Sequence, residues 1–332
     1  MLTEETSSAP WTSRTRVVSF GIAAVLAAVL LYYSLHGIEW RQVARIVAGA
    51  APGRLALAAG IGTANLLLRA CRWRILLNAE GSVSVPTAFW ATAAGYFGNN
   101  FLPARAGELV RTFMISSQSG LENTYVLATA LSERVADAIA LVVIIAMVLL
   151  ILPAQPGWLA GAARPFAVLG LLGALGIAIL PLLGPLARSA IERAPLPHAL
   201  RPKLITAMEH GLRGMRAFHD VRRLSTFLAF TAVIWSLDAL ATVIGATALG
   251  FVIPVAVAFL LVASLGLGSA LPSTPGYVGI YQFVAVTVLT PFGFSRTDAI
   301  AYILVAQALN YVVILCWGSL GLWRYRRARR SM

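Results

Sequence analysis

Long apolar runs alternate with short polar joints along most of this chain. Val17–Leu35, Leu55–Leu68, Leu127–Leu152, Phe166–Leu186, Phe227–Leu249, Val255–Leu271 and Ala299–Leu322 contain few charges. Most approach or exceed the roughly 20 residues that carry an α-helix across a bilayer. The pattern predicts an all-α polytopic membrane protein. Two stretches depart from it. Val85–Ser116 is moderately apolar but broken at "NNFLPARAG", and Val255–Leu289 is broken at "PSTPGYVG". Proline and glycine between short apolar arms predict interrupted helices folded back as hairpins.

Composition agrees with the pattern. The 332 residues are 59% hydrophobic and 12% charged, and the mean hydropathy is +0.80. A soluble domain of this length needs more charge to cover its surface. The formal charge of +13 raises the question of nucleic acid, but its distribution answers it differently. Arginines cluster in "RYRRARR" at Arg324–Arg330 and in the Ala187–Ser225 connection, where only Glu192, Glu209 and Asp220 oppose them. Such clusters mark cytoplasmic membrane faces, so no nucleic-acid partner is expected. Arg14 and Arg16 precede the first run, which lacks an A-x-A cleavage site and is followed by Tyr32, Tyr33 and Trp40 as an interfacial belt. A retained first helix is expected.

The basic segments then set the threading. The N-terminus, the 187–225 connection, the basic tail 323–332 and the Arg69, Arg72, Arg74 group are all placed on the cytoplasmic side. Even numbers of crossings must separate them. In the first half (17–186), two spans satisfy this, so the hairpin at about 85–116 starts and ends on the cytoplasmic side. In the second half (226–322), the hairpin at about 254–290 enters from the outer side. A single transmembrane domain with two opposed re-entrant hairpins is the outline of an inverted-topology repeat. Four complete spans in each half satisfy parity equally. "LITAMEHGLRGMRAF" within the connection reads as an amphipathic surface helix.

Polar residues inside such a chain are the candidate site. Glu133 and Asp137 stand four apart on one helix face. Arg134, three before Asp137, is placed to pair with it as a structural lock. Glu133 stands open between bracing and lining a cavity, and so does Asp238, the lone acid of its span, which is placed to meet an arginine across the bundle. At the first break, with Pro103 and Gly107, Glu108 and Arg111 sit a turn apart and can neutralise each other. Asn99 and Asn100 read as caps of broken helix ends. Arg105 lacks a local partner and, with the free N–H groups of the following helix, suits an anionic group. At the second break Pro272, Pro275, Gly276 and Gly279 shape the backbone, and Ser273, Tyr281 and Gln282 add neutral polarity. His36, His198, His210 and His219 are scattered, and Cys71 and Cys316 are isolated. No metal or other cofactor is expected, and no phosphate-binding loop or hydrolase pattern is present.

"NFLPARAGELVR", "LSERVAD" and "LPSTPGYVGIYQ", in this order, resemble the lysylphosphatidylglycerol synthase transmembrane family, the flippase-like membrane domain of the multiple peptide resistance factor. The resemblance runs from the second span to the last. The family pattern N-x-L-P-x-R-x-G-E falls on Asn100, Leu102, Pro103, Arg105, Gly107 and Glu108, and E-R-x-x-D on Glu133, Arg134 and Asp137. P-G-G-x-G-x-x-E falls on Pro275, Gly276, Tyr277, Gly279 and Gln282. Here Tyr277 replaces a glycine and Gln282 an acid, which removes the titratable group that proton coupling or a cationic headgroup would use at this position. The resemblance implies a non-enzymatic flippase or scramblase in a bacterial or archaeal cytoplasmic membrane. Its partners would be membrane lipids with an anionic headgroup held near Arg105 and Glu108. A homodimer or a partner lipid-modifying enzyme stays open. The aminoacyl-transferase domain has no counterpart in this sequence, so lysyl-lipid synthesis is not expected. The rival readings are a scaffold for a lipid or glycan synthase, and an enzyme using Glu133 or Asp137 as acid or base.

Overall fold

A computed structural model describes residues 25, 27–102, 106–152, 161, 163–179, 184–194, 201–270 and 275–330. Pro103, Arg105, Pro272, Ser273 and most of the expected first span lie outside the described residues. Among the described residues, a helical segment at 27–35 is followed by twelve α-helices: α1 (Trp40–Ala48), α2 (Pro52–Leu77), α3 (Val85–Phe101), α4 (Gly107–Ser119), α5 (Asn123–Ile151), α6 (Ala163–Ile179), α7 (Gly184–Arg193), α8 (Arg201–Met215), α9 (Val221–Ala248), α10 (Val255–Gly268), α11 (Ile280–Leu289) and α12 (Arg296–Arg330). Among the described residues there is no strand.

The helix ends follow from local chemistry. Ser84 caps α3 by accepting the Thr87 N–H at 3.2 Å, with Pro86 in the first turn, where its missing donor costs nothing. Asp220 caps α9, accepting from the N–H groups of Arg222 and Arg223 at 2.9 and 3.2 Å. Among the described residues α5, α9 and α12, with 29, 28 and 35 residues, are long and apolar enough to cross a bilayer. α1 and α2, bent by 85°, meet that test only together. α1 buries Val43 and leaves Trp40 exposed, as does the preceding segment with Tyr32 and Tyr33. α6 carries the first part of the expected Phe166–Leu186 span, of which residues 180–183 lie outside the described residues.

The helices on either side of each break pack against each other, α3 on α4 and α10 on α11. α3 and α4 pack so closely that glycine is obligatory at the crossing. A Cβ on Gly98 would stand 2.6 Å from the Gly107 Cα, and one on Gly107 would overlap the Gly95 carbonyl and stand 2.6 Å from Asn99 Oδ1. In the second hairpin Gly268 of α10 meets Ile280 and Val284 of α11. The backbone between them turns through positive φ at Gly276 (74°), Tyr277 (61°) and Gly279 (92°). α12 runs against the first hairpin through Gly318, beside Phe97, and Gly321, beside Trp90. Two apolar cores result. One gathers the ends of α2 and α5 around α3 and α4, including Trp73, Leu76, Met114 and Tyr125. The other joins α5, α9 and α12 around α10 and α11, including Trp235, Leu261, Leu289 and Ile300.

The amphipathic segment in the connection forms α8, and it docks on the protein. Gly214 lies against Ala128 of α5. Arg213 reaches Glu80, beyond the end of α2, at 2.9 Å and Glu122, before α5, at 3.3 Å. One arginine thus ties both ends of the first hairpin together. Replacing Gly107 with alanine is expected to cost about 3 kcal/mol through overpacking. Gly60→Ala, exposed on α2 with nothing within 4 Å of its Cβ position, is expected to be neutral or slightly stabilising. Thermal unfolding in detergent compares them; equal midpoints would contradict the tight crossing.

Candidate functional site

On α5, Asp137 lies about 40° around the helix from Glu133, whereas Arg134 lies about 100° away. The two acids therefore face one neighbour and the arginine another. Glu133 and Asp137 face Arg72 of α2. Its guanidinium donates to both Asp137 oxygens at 2.7 and 2.8 Å, to Glu133 at 3.0 Å and to Thr231 at 3.0 Å. Glu133 also accepts from Arg111 of α4 at 2.9 Å. Arg111 donates from Nε to Glu108 at 2.5 Å, and Glu108 is shared with Arg134 at 2.8 Å. The order Asp137–Arg72–Glu133–Arg111–Glu108–Arg134 alternates in sign at each step. Tyr96 then lies between Arg134 and Arg69, 5.5 and 5.9 Å from their guanidinium carbons, and Arg69 pairs with Asp238 of α9 at 2.7 Å.

This ladder revises two expectations. Arg134 does not pair with Asp137; its carboxylate is Glu108, because the helix turn aims it at α4. Arg69 and Arg72 are not membrane-surface arginines, since Arg72 is fully buried and Arg69 faces the bundle interior. The apolar residues that follow, Trp73, Leu76 and Leu77, are fully buried too, so the span continues past them. Within the ladder four guanidinium groups oppose four carboxylates, so the interior carries no net charge. Aromatic faces complete the shielding: Arg111 lies 4.4 Å over Trp73 and Arg72 4.9 Å over Phe227. Cationic and anionic groups this deep are tolerable only when paired and hydrogen-bonded.

Beside the ladder lies a cavity of about 320 Å³. Both helix breaks open onto it, the first through Asn99 and Asn100, the second through Tyr277 and Tyr281. α2 supplies Asn65 and Arg69, α9 Trp235 and Asp238, α5 Arg134 and α12 Gln307 and Asn310. The remaining wall is mostly aliphatic. Asn65 donates to Asp238 at 2.5 Å and to the Ile234 carbonyl at 3.2 Å. The rings of Tyr277 and Tyr281 stack with centroids 5.1 Å apart. Four residues of the lining each carry a fully buried polar atom without a partner: Asn65 Oδ1, Asn99 Oδ1, Asn100 Oδ1 and Trp235 Nε1. Among the described residues, no group of His, Cys, Asp and Glu is arranged to hold a metal.

The sequence has a counterpart among known families. The sequence model of the lysylphosphatidylglycerol synthase transmembrane region matches residues 17–318. The chain belongs to that family. Two curated proteins are similar. A glycosyltransferase AglD of Haloferax volcanii is 27% identical over 339 positions, covering 91% of this chain and 52% of the relative. A UPF0104 membrane protein of Methanothermobacter thermautotrophicus is 30% identical over 141 positions, covering 41% of this chain and 39% of the relative. The chain spans about half the length of the first of these and matches less of the second.

In this member of the lysylphosphatidylglycerol synthase transmembrane family the expected site residues separate into two groups. Asn99, Asn100, Arg134, Asp238 and Tyr281 line the cavity. Arg111, Glu133 and Asp137 are buried in the ladder as braces, as is most of Glu108. Asn99 does not act as a helix cap; it donates to Glu108 at 3.2 Å. Asn100 turns back on its own helix to the Tyr96 carbonyl at 2.9 Å. Gln282, at the position of the family acid, is used structurally. It accepts the Gly279 N–H at 2.7 Å, capping α11, and donates to Gln307 at 2.8 Å. Gln307 in turn donates to the Gly276 carbonyl at 2.6 Å. Asn65, Arg69, Tyr96, Trp235, Gln307 and Asn310 escaped the sequence reading because they sit singly within apolar runs; Arg69 was visible only as a charge.

Arg72→Met leaves Asp137 and half of Glu133 uncompensated and is expected to destabilise by about 3–5 kcal/mol. Arg72→Met with Asp137→Asn should recover much of the loss, since Arg111 still serves Glu133. Melting in detergent reads both, and a double variant no more stable than the single would remove the ladder from its bracing role.

Proposed function

We propose that this protein moves a lipid between the leaflets of its membrane without altering it covalently. The observation that carries the reading is the convergence of both broken helix pairs on one polar cavity inside an apolar bundle. Interrupted helices that meet near the midplane are how membrane transporters place polar groups where a substrate headgroup must pass. Arg69 and Arg134 lie in the lining and supply the attraction for an anionic headgroup, while the tails stay in the surrounding lipid. The two hairpins enter from opposite faces in this reading, as an inverted repeat does, with both termini cytoplasmic in a bacterial or archaeal inner membrane.

The name of the Haloferax volcanii relative brings an enzyme into question. Glu133 and Asp137, the acids best suited by sequence to general acid or base work, are each bound to arginine and lie outside the cavity lining. A base must reach the proton it removes, and neither acid does. The shared half is therefore read as the part that handles the lipid.

Reconstitution in liposomes with a fluorescent phosphatidylglycerol tests this. The wild-type chain should exchange the probe between leaflets well above protein-free vesicles, with the recovered lipid unchanged in mass. Arg134→Ala should slow exchange about tenfold or more, the scale of losing one charge-assisted contact. Exchange no faster than in empty vesicles, or a covalently modified product, would sink the proposal.

A further inference from the structure

The buried ion network balances to zero, and that balance limits what the cavity can admit. Arg69, Arg72, Arg111 and Arg134 oppose Glu108, Glu133, Asp137 and Asp238. An anionic headgroup entering a space walled mostly by aliphatic side chains leaves one negative charge in excess. In an interior of low dielectric such a charge is costly unless a cation or a proton arrives with it.

The four carboxylates are not equally able to take that proton. Glu133 is held by Arg72 and Arg111, and Glu108 by Arg111 and Arg134. Both Asp137 oxygens accept from Arg72. None of these three acids lines the cavity, whereas Asp238 does. A single arginine serves Asp238: Arg69 donates to Oδ2 at 2.7 Å, and Asn65 to Oδ1 at 2.5 Å. The other charged or titratable groups around it are Arg72 of α2, Tyr96 of α3, Arg134 and Asp137 of α5, Tyr302 of α12, and Tyr277 and Tyr281 at the second break. α10, which packs on α9, contains none. Arg72 and Arg134 are committed to the acids of the ladder, so among the described residues Asp238 has no second cation.

Arg69 is placed to change partner. It lines the cavity, and its remaining contacts are the Tyr96 hydroxyl at 3.3 Å and the Trp235 ring at 4.8 Å. An anion that takes Arg69 takes the one cation that Asp238 has. A buried carboxylate left without a cation is neutralised by protonation.

We propose that an anionic headgroup draws Arg69 away from Asp238 and that Asp238 takes up one proton from water in exchange. Lipid and proton then bind together and the charge of the interior is unchanged. Asp238 thereby supplies the titratable group that Gln282 lacks. The Arg69–Asp238 pair also ties α2 to α9, and among the described residues no other ion pair joins the first half to the second. Its opening releases that tie as the cargo binds. The proposal rests on the transport reading of the same cavity and adds the coupling ion to it.

The test measures lipid binding to the full chain in detergent, with phosphatidylglycerol as the anion and phosphatidylcholine, which has no net charge, as the control. A pH indicator in weak buffer should report about one proton taken up per phosphatidylglycerol bound and none with phosphatidylcholine. The complex holds a proton that the free protein lacks, so affinity should fall about tenfold per unit as pH rises from about 6 to about 8. Asp238→Asn, which leaves Arg69 to the lipid at every pH, should bind phosphatidylglycerol at least as tightly as the wild type at the upper pH. It should show neither proton uptake nor pH dependence. Binding without proton uptake, affinity that follows sodium concentration instead of pH, or no binding of phosphatidylglycerol would each overturn the coupling. The wild-type proton count decides the matter even if the variant is poorly folded. Exchange of phosphatidylglycerol between liposome leaflets without proton uptake would sink the coupling and leave transport standing. Proton-linked binding without exchange would do the reverse.

Discussion

An arginine buried among apolar helices obliges a carboxylate to be buried with it, and that obligation organises this protein. Arg72 is fully enclosed, so α5 must present Glu133 and Asp137 to α2 at hydrogen-bond distance. Glu133 has a second oxygen to satisfy and takes Arg111, which fixes α4 against α5. Arg111 then needs Glu108, and Glu108 takes Arg134. Each pairing creates the demand for the next, because a half-satisfied charge in a low-dielectric interior costs more than an apolar residue would. The result positions three helices relative to one another more strictly than lipid-facing leucines can, since apolar contacts inside a membrane have little hydrophobic drive.

The same requirement explains why the first hairpin is compact. Glu108 and Arg111 stand on the first turns of α4, so α4 must fold back along α3 closely enough to reach α5. Only glycine at 98 and 107 permits that approach. The second hairpin has no ion pair among its described residues and is held differently. Gln282 links the N-terminus of α11 to Gln307 of α12, and Gln307 returns to the Gly276 carbonyl. Neutral amides suffice there because the groups to be satisfied are backbone dipoles at a break. Tyr277 occupies a left-handed conformation normally left to glycine, and its ring stacks on Tyr281 one helical turn on.

The helices and their breaks were legible in the sequence because their causes are local. Apolar run length set α5, α9 and α12, while proline and glycine density marked both interruptions. Long-range pairing was less legible. Arg134 and Asp137 are three apart and look like natural partners, yet the turn of the helix sends them to different neighbours. "RACRWRILL" looked like the basic end of a span, although Trp73, Ile75, Leu76 and Leu77 signalled that the helix stayed inside the apolar bundle. A single arginine between apolar residues does not announce whether it faces headgroups or a buried acid; only the partner on another helix decides. The cavity lining was hidden for the same reason, since Asn65, Tyr96 and Gln307 are spread over three helices and meet only in the fold.

What separates a brace from a binding site here is saturation, not charge. Along the ladder, Glu133 and Asp137 have both oxygens engaged, and the arginines that hold them have almost no exposed surface. Such groups have nothing left to offer a ligand, however suggestive their chemistry is in sequence. At the outer end the balance changes. The Arg134 side chain keeps 39% and that of Asp238 28% of its surface accessible, and the asparagine oxygens beside them are unpaired. A buried polar atom without a partner persists in a folded chain only if other contacts compel it or if something arrives to meet it. The contacts that compel Asn99, Asn100 and Asn65 are hydrogen bonds donated by their amide nitrogens to Glu108 of the ladder, to the Tyr96 carbonyl and to Asp238. The saturated part of the network thus holds the unsaturated part in position beside the cavity.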